Sequence, residues 1–307
     1  MRRGIGAGPA LLLIALLGGL LVACSRDHDA SPAPVVEPAG LTVLTHGASP
    51  RVPLRIDLTA GDVTTLQVRL ALGIVQTGGT TDLPVAIPTV TERLRFRVKA
   101  VDATGADVAF EITAAELDRD GTDLSDVEFV RLTAAVQQVV GTTGTARVPG
   151  SGAASSVRLE LPAGVDASLR ASIDDLGDQV GRLVPPLPRA PVGVGARWRV
   201  VETVTSGPTT VERTTTYRLV GRSGPALRYT ATVKQEARRA ATDPTVAGQL
   251  VSSSATGTVS GRSSLRDLAT TSSTRLTGRQ QVRTGTGVTA RTATQTLTMS
   301  VNVTPVG

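Results

Sequence analysis

Thr91-Glu92-Arg93-Leu94-Arg95-Phe96-Arg97-Val98-Lys99-Ala100 is the stretch on which the reading of the fold turns. Leu94, Phe96, Val98 and Ala100 alternate with Arg93, Arg95, Arg97 and Lys99. A period of two sends successive side chains to opposite faces, so this segment reads as a strand with one apolar face and one cationic face. Ala103-Thr104-Gly105-Ala106-Asp107 then turns the chain, and Val108, Phe110, Ile112 and Ala114 repeat the alternation on the way back. The pair is an antiparallel hairpin that must bury its apolar face against something.

The same period recurs on both sides. Upstream, Leu66, Val68, Leu70, Leu72 and Ile74 alternate with Gln67, Arg69, Ala71 and Gly73. Downstream, Val157, Leu159 and Leu161 form the second arm of a hairpin that begins in the Gly/Thr-rich run at 141–152. The C-terminal third is rich in Thr, Ser, Gly and Arg, yet Leu250–Gly261, Arg275–Thr284 and Gln295–Val303 still alternate, and Thr suits strands. Two segments break the pattern. Ser125-x-x-Glu128 is a capping box, and Phe129, Leu132, Val136 and Val139 continue at helical spacing, which predicts a helix near 126–140. Val165, Leu169, Ile173, Leu176, Val180 and Leu183 form one helical stripe between Pro162 and Pro185, which predicts a second helix near 164–184.

The hairpin also has an echo. Val211-Glu212-Arg213 leads to Tyr217-Arg218-Leu219, a Gly-containing turn and Leu227-Arg228-Tyr229, as Thr91-Glu92-Arg93 leads to Phe96-Arg97-Val98 and Val108-Ala109-Phe110. This pattern points to duplication: β-rich halves at 41–187 and 188–307 that share one continuous sheet. The expected fold is mainly β (α+β), a curved antiparallel sheet or open barrel with two packed helices on its concave side.

The chain has 307 residues and a formal charge of +6, with Arg outnumbering Lys throughout. Phe96, Phe110, Phe129, Trp198, Tyr217 and Tyr229 are its only aromatic residues. Nucleic-acid binding asks for clustered basic residues interleaved with rings, so no nucleic-acid partner is expected. The core must be aliphatic. With a single cysteine, Cys24, no internal disulfide supports it.

Arg2 and Arg3 precede an apolar run that ends in Leu21-Val22-Ala23-Cys24. The layout is that of a secretory signal over 1–23. The last four residues resemble the lipobox of bacterial lipoproteins. That resemblance implies that Cys24 is acylated, the signal is removed before it, and the protein is lipid-anchored on the exported face of the cell membrane or outer membrane. Residues 24–40, with Pro32, Pro34 and Pro38, read as a flexible tether. The lead-in Pro191-Val192-Gly193-Val194-Gly195-Ala196-Arg197-Trp198 also resembles that of uncharacterised envelope lipoprotein families of GC-rich bacteria. Some envelope lipoproteins with curved sheets carry lipids, so the resemblance motivates an apolar or lipid ligand.

Catalytic motifs are scarce. His28 lies in the tether, and His46 with Asp57 or Asp62 is the remaining route to a Ser/His/Asp set, without a Gly-x-Ser-x-Gly elbow. Glu116-x-Asp118-x-Asp120-Gly121 has the spacing of the first half of a calcium loop, but the first ligand is Glu and Val127 stands where the closing bidentate Glu belongs. Calcium at Glu116, Asp118 and Asp120 is therefore the one cofactor the spacing suggests. The expectation is a non-catalytic, membrane-anchored binding module for an apolar ligand. The alternative is an interaction lipoprotein with a filled core that docks on an envelope partner through its Arg-rich strand.

Overall fold

The computed structural model describes residues 40–77, 83–162, 184–206, 209–238, 249–284 and 291–307. Thirteen strands in these residues form one sheet, and every pairing is antiparallel. They are β1 (Leu41–Thr45), β2 (Val63–Thr77), β3 (Leu83–Ala86), β4 (Thr89–Asp102), β5 (Gly105–Asp118), β6 (Thr143–Pro149), β7 (Ser155–Glu160), β8 (Arg197–Ser206), β9 (Thr209–Ser223), β10 (Ala226–Arg238), β11 (Gln249–Ser264), β12 (Thr270–Thr284) and β13 (Arg291–Val306). The spatial order is β1-β8-β9-β10-β11-β12-β13-β2-β4-β5-β6-β7, with β3 on β2. The sheet is open, ending in β1 and β7.

Two meanders thus run through one sheet, the second placed ahead of the first. The join is β13 against β2, in register from Val306↔Thr65 to Thr294↔Thr77. The two matched hairpins hold equivalent places in their meanders but not equal registers. Phe96 faces Phe110 directly, whereas Tyr217 faces Ala231 and Tyr229 faces Leu219.

One face of the sheet is turned inward. Leu94, Phe96, Val98, Val108, Phe110 and Ile112 are buried, while Arg93, Arg95, Arg97 and Lys99 are exposed. The main core joins residues from opposite ends of the strand order, such as Trp198 and Val200 of β8 with Phe110 of β5 and Val148 of β6. A flat sheet could not bring these together, so the sheet is rolled. Its roll is closed at one end by chain outside the strands. Residues 46–62 cross that end: His46 O accepts from Gly193 N–H, Val52 pairs with Val192, Ile56 N–H donates to Gly150 O, Asp57 N–H to Leu265 O and Gly61 N–H to Val98 O. Leu54, Ile56 and Leu58 point into the core from this segment. Gly193 is what permits the crossing, since a Cβ there would lie 1.7 Å from Ala48 O. Leu187 N–H to Ser151 O brings the β6–β7 turn against the lead-in to β8.

The described helix, α1, spans Asp126–Gln137. Its capping box is formed: Ser125 Oγ accepts from Glu128 N–H, and Glu128 accepts from Ser125 N–H. It ends three residues sooner than the spacing predicts because the chain tightens into i→i−3 bonds at Gln138, Val139 and Val140, and Gly141 turns at φ 86°. α1 packs against the inward-facing Ile112 and Ala115 of β5 but is not itself buried. None of its residues is buried, Val127 is 80% exposed, and it meets the sheet through Val136 beside Ile112, Ala115 and Val139 at the end of β5. The fold is thus described with one helix. The expected second helix, near 164–184, lies outside the described residues except for Val184, as do the signal 1–23, Cys24 and the tether to residue 39.

Candidate functional site: the inner face of the sheet

The closed end of the roll is packed solid. Trp198 is 1% exposed, stacks on Tyr217 at 5.5 Å between ring centroids, and donates Nε1–H to Pro186 O at 2.9 Å. It is a core ring where the two halves meet, as lone tryptophans usually are. Between Leu66, Phe96, Val108 and Leu268 there is a void of about 20 Å³, room for one water and no more.

Away from that end the inner face changes character. Gln76, Gln280 and Gln295 occupy inward positions directly opposite one another on β2, β12 and β13. Gln280 Nε2 donates to Gln295 Oε1 at 2.5 Å, and Gln295 Nε2 donates to Gln76 Oε1 at 2.9 Å. The ladder satisfies amides that burial would otherwise penalise. The adjacent row toward the closed end is Arg213, Gln235, Ala255, Gly278, Leu297 and Ile74, each opposite the next. Gln235 is 5% exposed, Arg213 Nε is buried, and among the described residues neither Gln235 Nε2 nor Arg213 Nε has a partner. Glu202 stands opposite Arg213 on β8. Two donors thus lie side by side, next to the small floor of Ala255 and Gly278 and the apolar wall of Leu297 and Ile74.

One further polar group sits on this face. Glu92 points inward between Val68 and Ala115. Desolvation pushes its carboxyl up to about 7. Tyr229 is buried against Gly261, where a Cβ would lie 2.5 Å from its ring, and burial pushes its phenol up to about 12.

The acidic turn is not a gathered ligand set. Glu116 is exposed on β5, Asp118 Oδ2 accepts from Arg69 at 3.1 Å, and Asp118 Oδ1 takes Asp120 N–H at 3.0 Å. Arg119 occupies the centre of the turn instead: its guanidinium donates to Asp126 and to Leu124 O, and lies 5.5 Å from the centroid of the Phe129 ring. Among the described residues no three His, Cys, Asp or Glu side chains converge as a metal site. His46, Asp57 and Asp62 lie on the crossing segment, where their backbones bond to Gly193, Leu265 and Val98 respectively.

On the outer face, Arg93, Arg95, Arg97 and Lys99 make no ion pair with the described residues. Arg147 on β6 does, clamping Asp102 and Asp107 across the β4–β5 turn. Thr104, through its hydroxyl and N–H, and then Arg147 hold the Asp102 carboxyl well below the usual carboxylate range. The remaining outward positions of β10 to β13 are mostly Thr, Ser and Arg, among them Thr256, Thr258, Arg275, Arg279, Thr296 and Thr298, all exposed. A strand-built membrane span needs the reverse, an apolar band outside.

The buried glutamines and Arg213 escape a sequence reading because polar residues are assumed to face water. The signal was nevertheless present: Gln235 is in phase with Tyr229, Ala231 and Val233, and Gln295 with Leu297, Met299 and Val301.

No family model matches the chain, and no curated protein matches it. Among solved structures, the comparison gives Salmonella typhi OmpF in complex with daunomycin, at 7% identity, covering 80% of this chain and 98% of that one, with a TM-score of 0.25. A likeness this low supports no inference about fold or function.

Proposed function

We propose that the chain is a membrane-anchored envelope lipoprotein, held on the exported face through Cys24, whose rolled sheet binds an apolar or lipid ligand without transforming it. The observation that supports the ligand is on the inner face. Ile74, Val233, Leu276, Val282 and Leu297 form an apolar lining there, beside Gln235 and the glutamine ladder. The ligand belongs on this part of the face and not at the closed end, where the void is water-sized. The full chain, extracted from membranes and passed into native mass spectrometry, is expected to carry a lipid-sized adduct. An adduct-free chain that also takes up no added fatty acid would sink this reading. Replacing Cys24 with Ser is expected to abolish palmitate labelling and membrane retention.

A second reading is an interaction lipoprotein with a filled core. The water-sized void and the four unpaired cations on β4 favour it. A photo-crosslinker at Arg97 is then expected to capture a single envelope partner, and Arg93→Glu with Arg95→Glu to abolish the adduct.

A further inference from the structure

We infer that the row Arg213–Gln235–Ala255–Gly278–Leu297–Ile74 is a site for an acyl lipid, with Arg213 and Gln235 receiving the carbonyl end of the chain. This deepens the ligand-binding reading and rests on it. Arg213 Nε–H and Gln235 Nε2–H lie on directly opposed residues of β9 and β10. Both are buried, and neither has an acceptor among the described residues. A buried donor left unmade costs more than a made hydrogen bond contributes, so such groups are stable only when something fills the vacancy.

The nearby glutamines bond to one another: Gln295 and Gln76 accept within the ladder, and no bond runs from the ladder to Arg213 Nε or Gln235 Nε2. What the row offers beside the donors is small residues and apolar surface. Ala255 and Gly278 carry a methyl and no side chain, and Leu297 and Ile74 are buried apolar residues beyond them. Five strand spacings separate Arg213 from Ile74, about 24 Å at roughly 4.8 Å each. A long acyl chain laid across the strands meets polarity at one end and hydrocarbon along the rest.

The ligand's reacting chemistry is an oxygen acceptor, not a fixed charge. Glu202 stands opposite Arg213 on β8, and an ester carbonyl and a carboxylate both suit the donors. Free fatty acids and acyl esters share that carbonyl, and the test separates them.

Oleate, methyl oleate and 1-octadecene, equal in chain length, are offered together to the full chain in native mass spectrometry. The two carbonyl-bearing probes are expected to exceed octadecene by about tenfold, the effect of one or two satisfied donors. Gln235→Leu and Arg213→Met are expected to remove that preference while octadecene binding persists. Gln235→Glu replaces a donor with an acceptor and is expected to reject oleate more than methyl oleate at pH 8. Equal binding of all three probes by the unaltered chain overturns the acyl-carbonyl site but leaves apolar binding standing. Binding of none overturns both. The comparison on the unaltered chain stands even where a variant fails to fold.

Discussion

The hairpin of β4 and β5 and that of β11 and β12 are built on the same ladder and stabilised by different means. The first buries Leu94, Phe96, Val98, Val108, Phe110 and Ile112, and its two rings stand 5.9 Å apart. The second turns mostly small residues inward on β11, Ser253, Ala255, Gly257, Val259 and Gly261, and buries Leu276, Gln280 and Val282 on β12. Backbone hydrogen bonds alone do not distinguish the two. The difference is that one hairpin gains apolar burial worth roughly 25 cal/mol per Å², while the other leaves a thin, partly polar inner surface. A region so composed is suited to receiving something, and a region like the first is suited to holding the fold.

The comparison is sharpest at Phe110. Its ring packs where Gly144 leaves room, since a Cβ there would lie 2.4 Å from it. Phe110→Ala is expected to cost about 4 kcal/mol in urea unfolding, as buried Phe truncations do. An inward truncation on β11, Val259→Ala, measured the same way and costing as much, would break the contrast.

Glu92 gives the next largest effect. Its carboxyl lies at about 7 in the folded protein against 4.5 when free. Below pH 4.5 both states are protonated and the group costs nothing. As pH rises through 7 the unfolded chain has released a proton that the folded chain retains, so stability falls and then levels off. Glu92→Gln is expected to flatten the melting temperature between pH 4.5 and 7 and to stabilise the protein at pH 8 by about 2 to 3 kcal/mol. An unchanged pH profile in the variant would show that Glu92 is solvated.

The smallest effect is assigned to the ladder. Gln295→Ala strips Gln280 Nε2 of its acceptor and Gln76 Oε1 of its donor, at an expected cost of about 2 kcal/mol. The double variant with Gln280→Ala is expected to cost less than the sum of the two singles, because the surviving partner is no longer stranded. Additive losses in the same unfolding series would mean that the two amides act separately.

Much of the sheet was legible because alternation survives wherever one face is buried. Arg93 to Lys99 announced both the strand and its outward face, and Ser125 with Glu128 announced the start of α1. The C-terminal strands were legible through Thr296, Thr298 and Leu297 despite a sparse apolar set. What alternation does not carry is who pairs with whom. Nothing in Leu41–Thr45 marks Arg197–Val200 as its partner, and nothing in Leu54, Ile56 and Leu58 says that an alternating segment will cross the end of the roll instead of joining a ladder. Of the candidate site, the apolar wall at Ile74 and Leu297 could be read in advance. Gln235 and Gln295 were in phase with that wall, but the pairing that sets Arg213 beside Gln235 and joins Gln76, Gln280 and Gln295 into a ladder was not legible, since alternation does not carry register.

The seam between β2 and β13 carries a consequence for the order of assembly. Gln76 and Gln295 meet across 219 positions of chain, and β1 must likewise wait for β8. A ribosome delivers β2 long before its neighbour on that side exists. Contacts of this separation are slow to form, because the closure entropy of the intervening chain is spent before any of them is made. Each hairpin can close locally as it emerges, but β2 stays an unpaired edge until residues 291–306 arrive. Exposed edges of that kind are where chains pair wrongly. The rolled sheet is therefore completed by its last strand, and the two meanders become one body at that step.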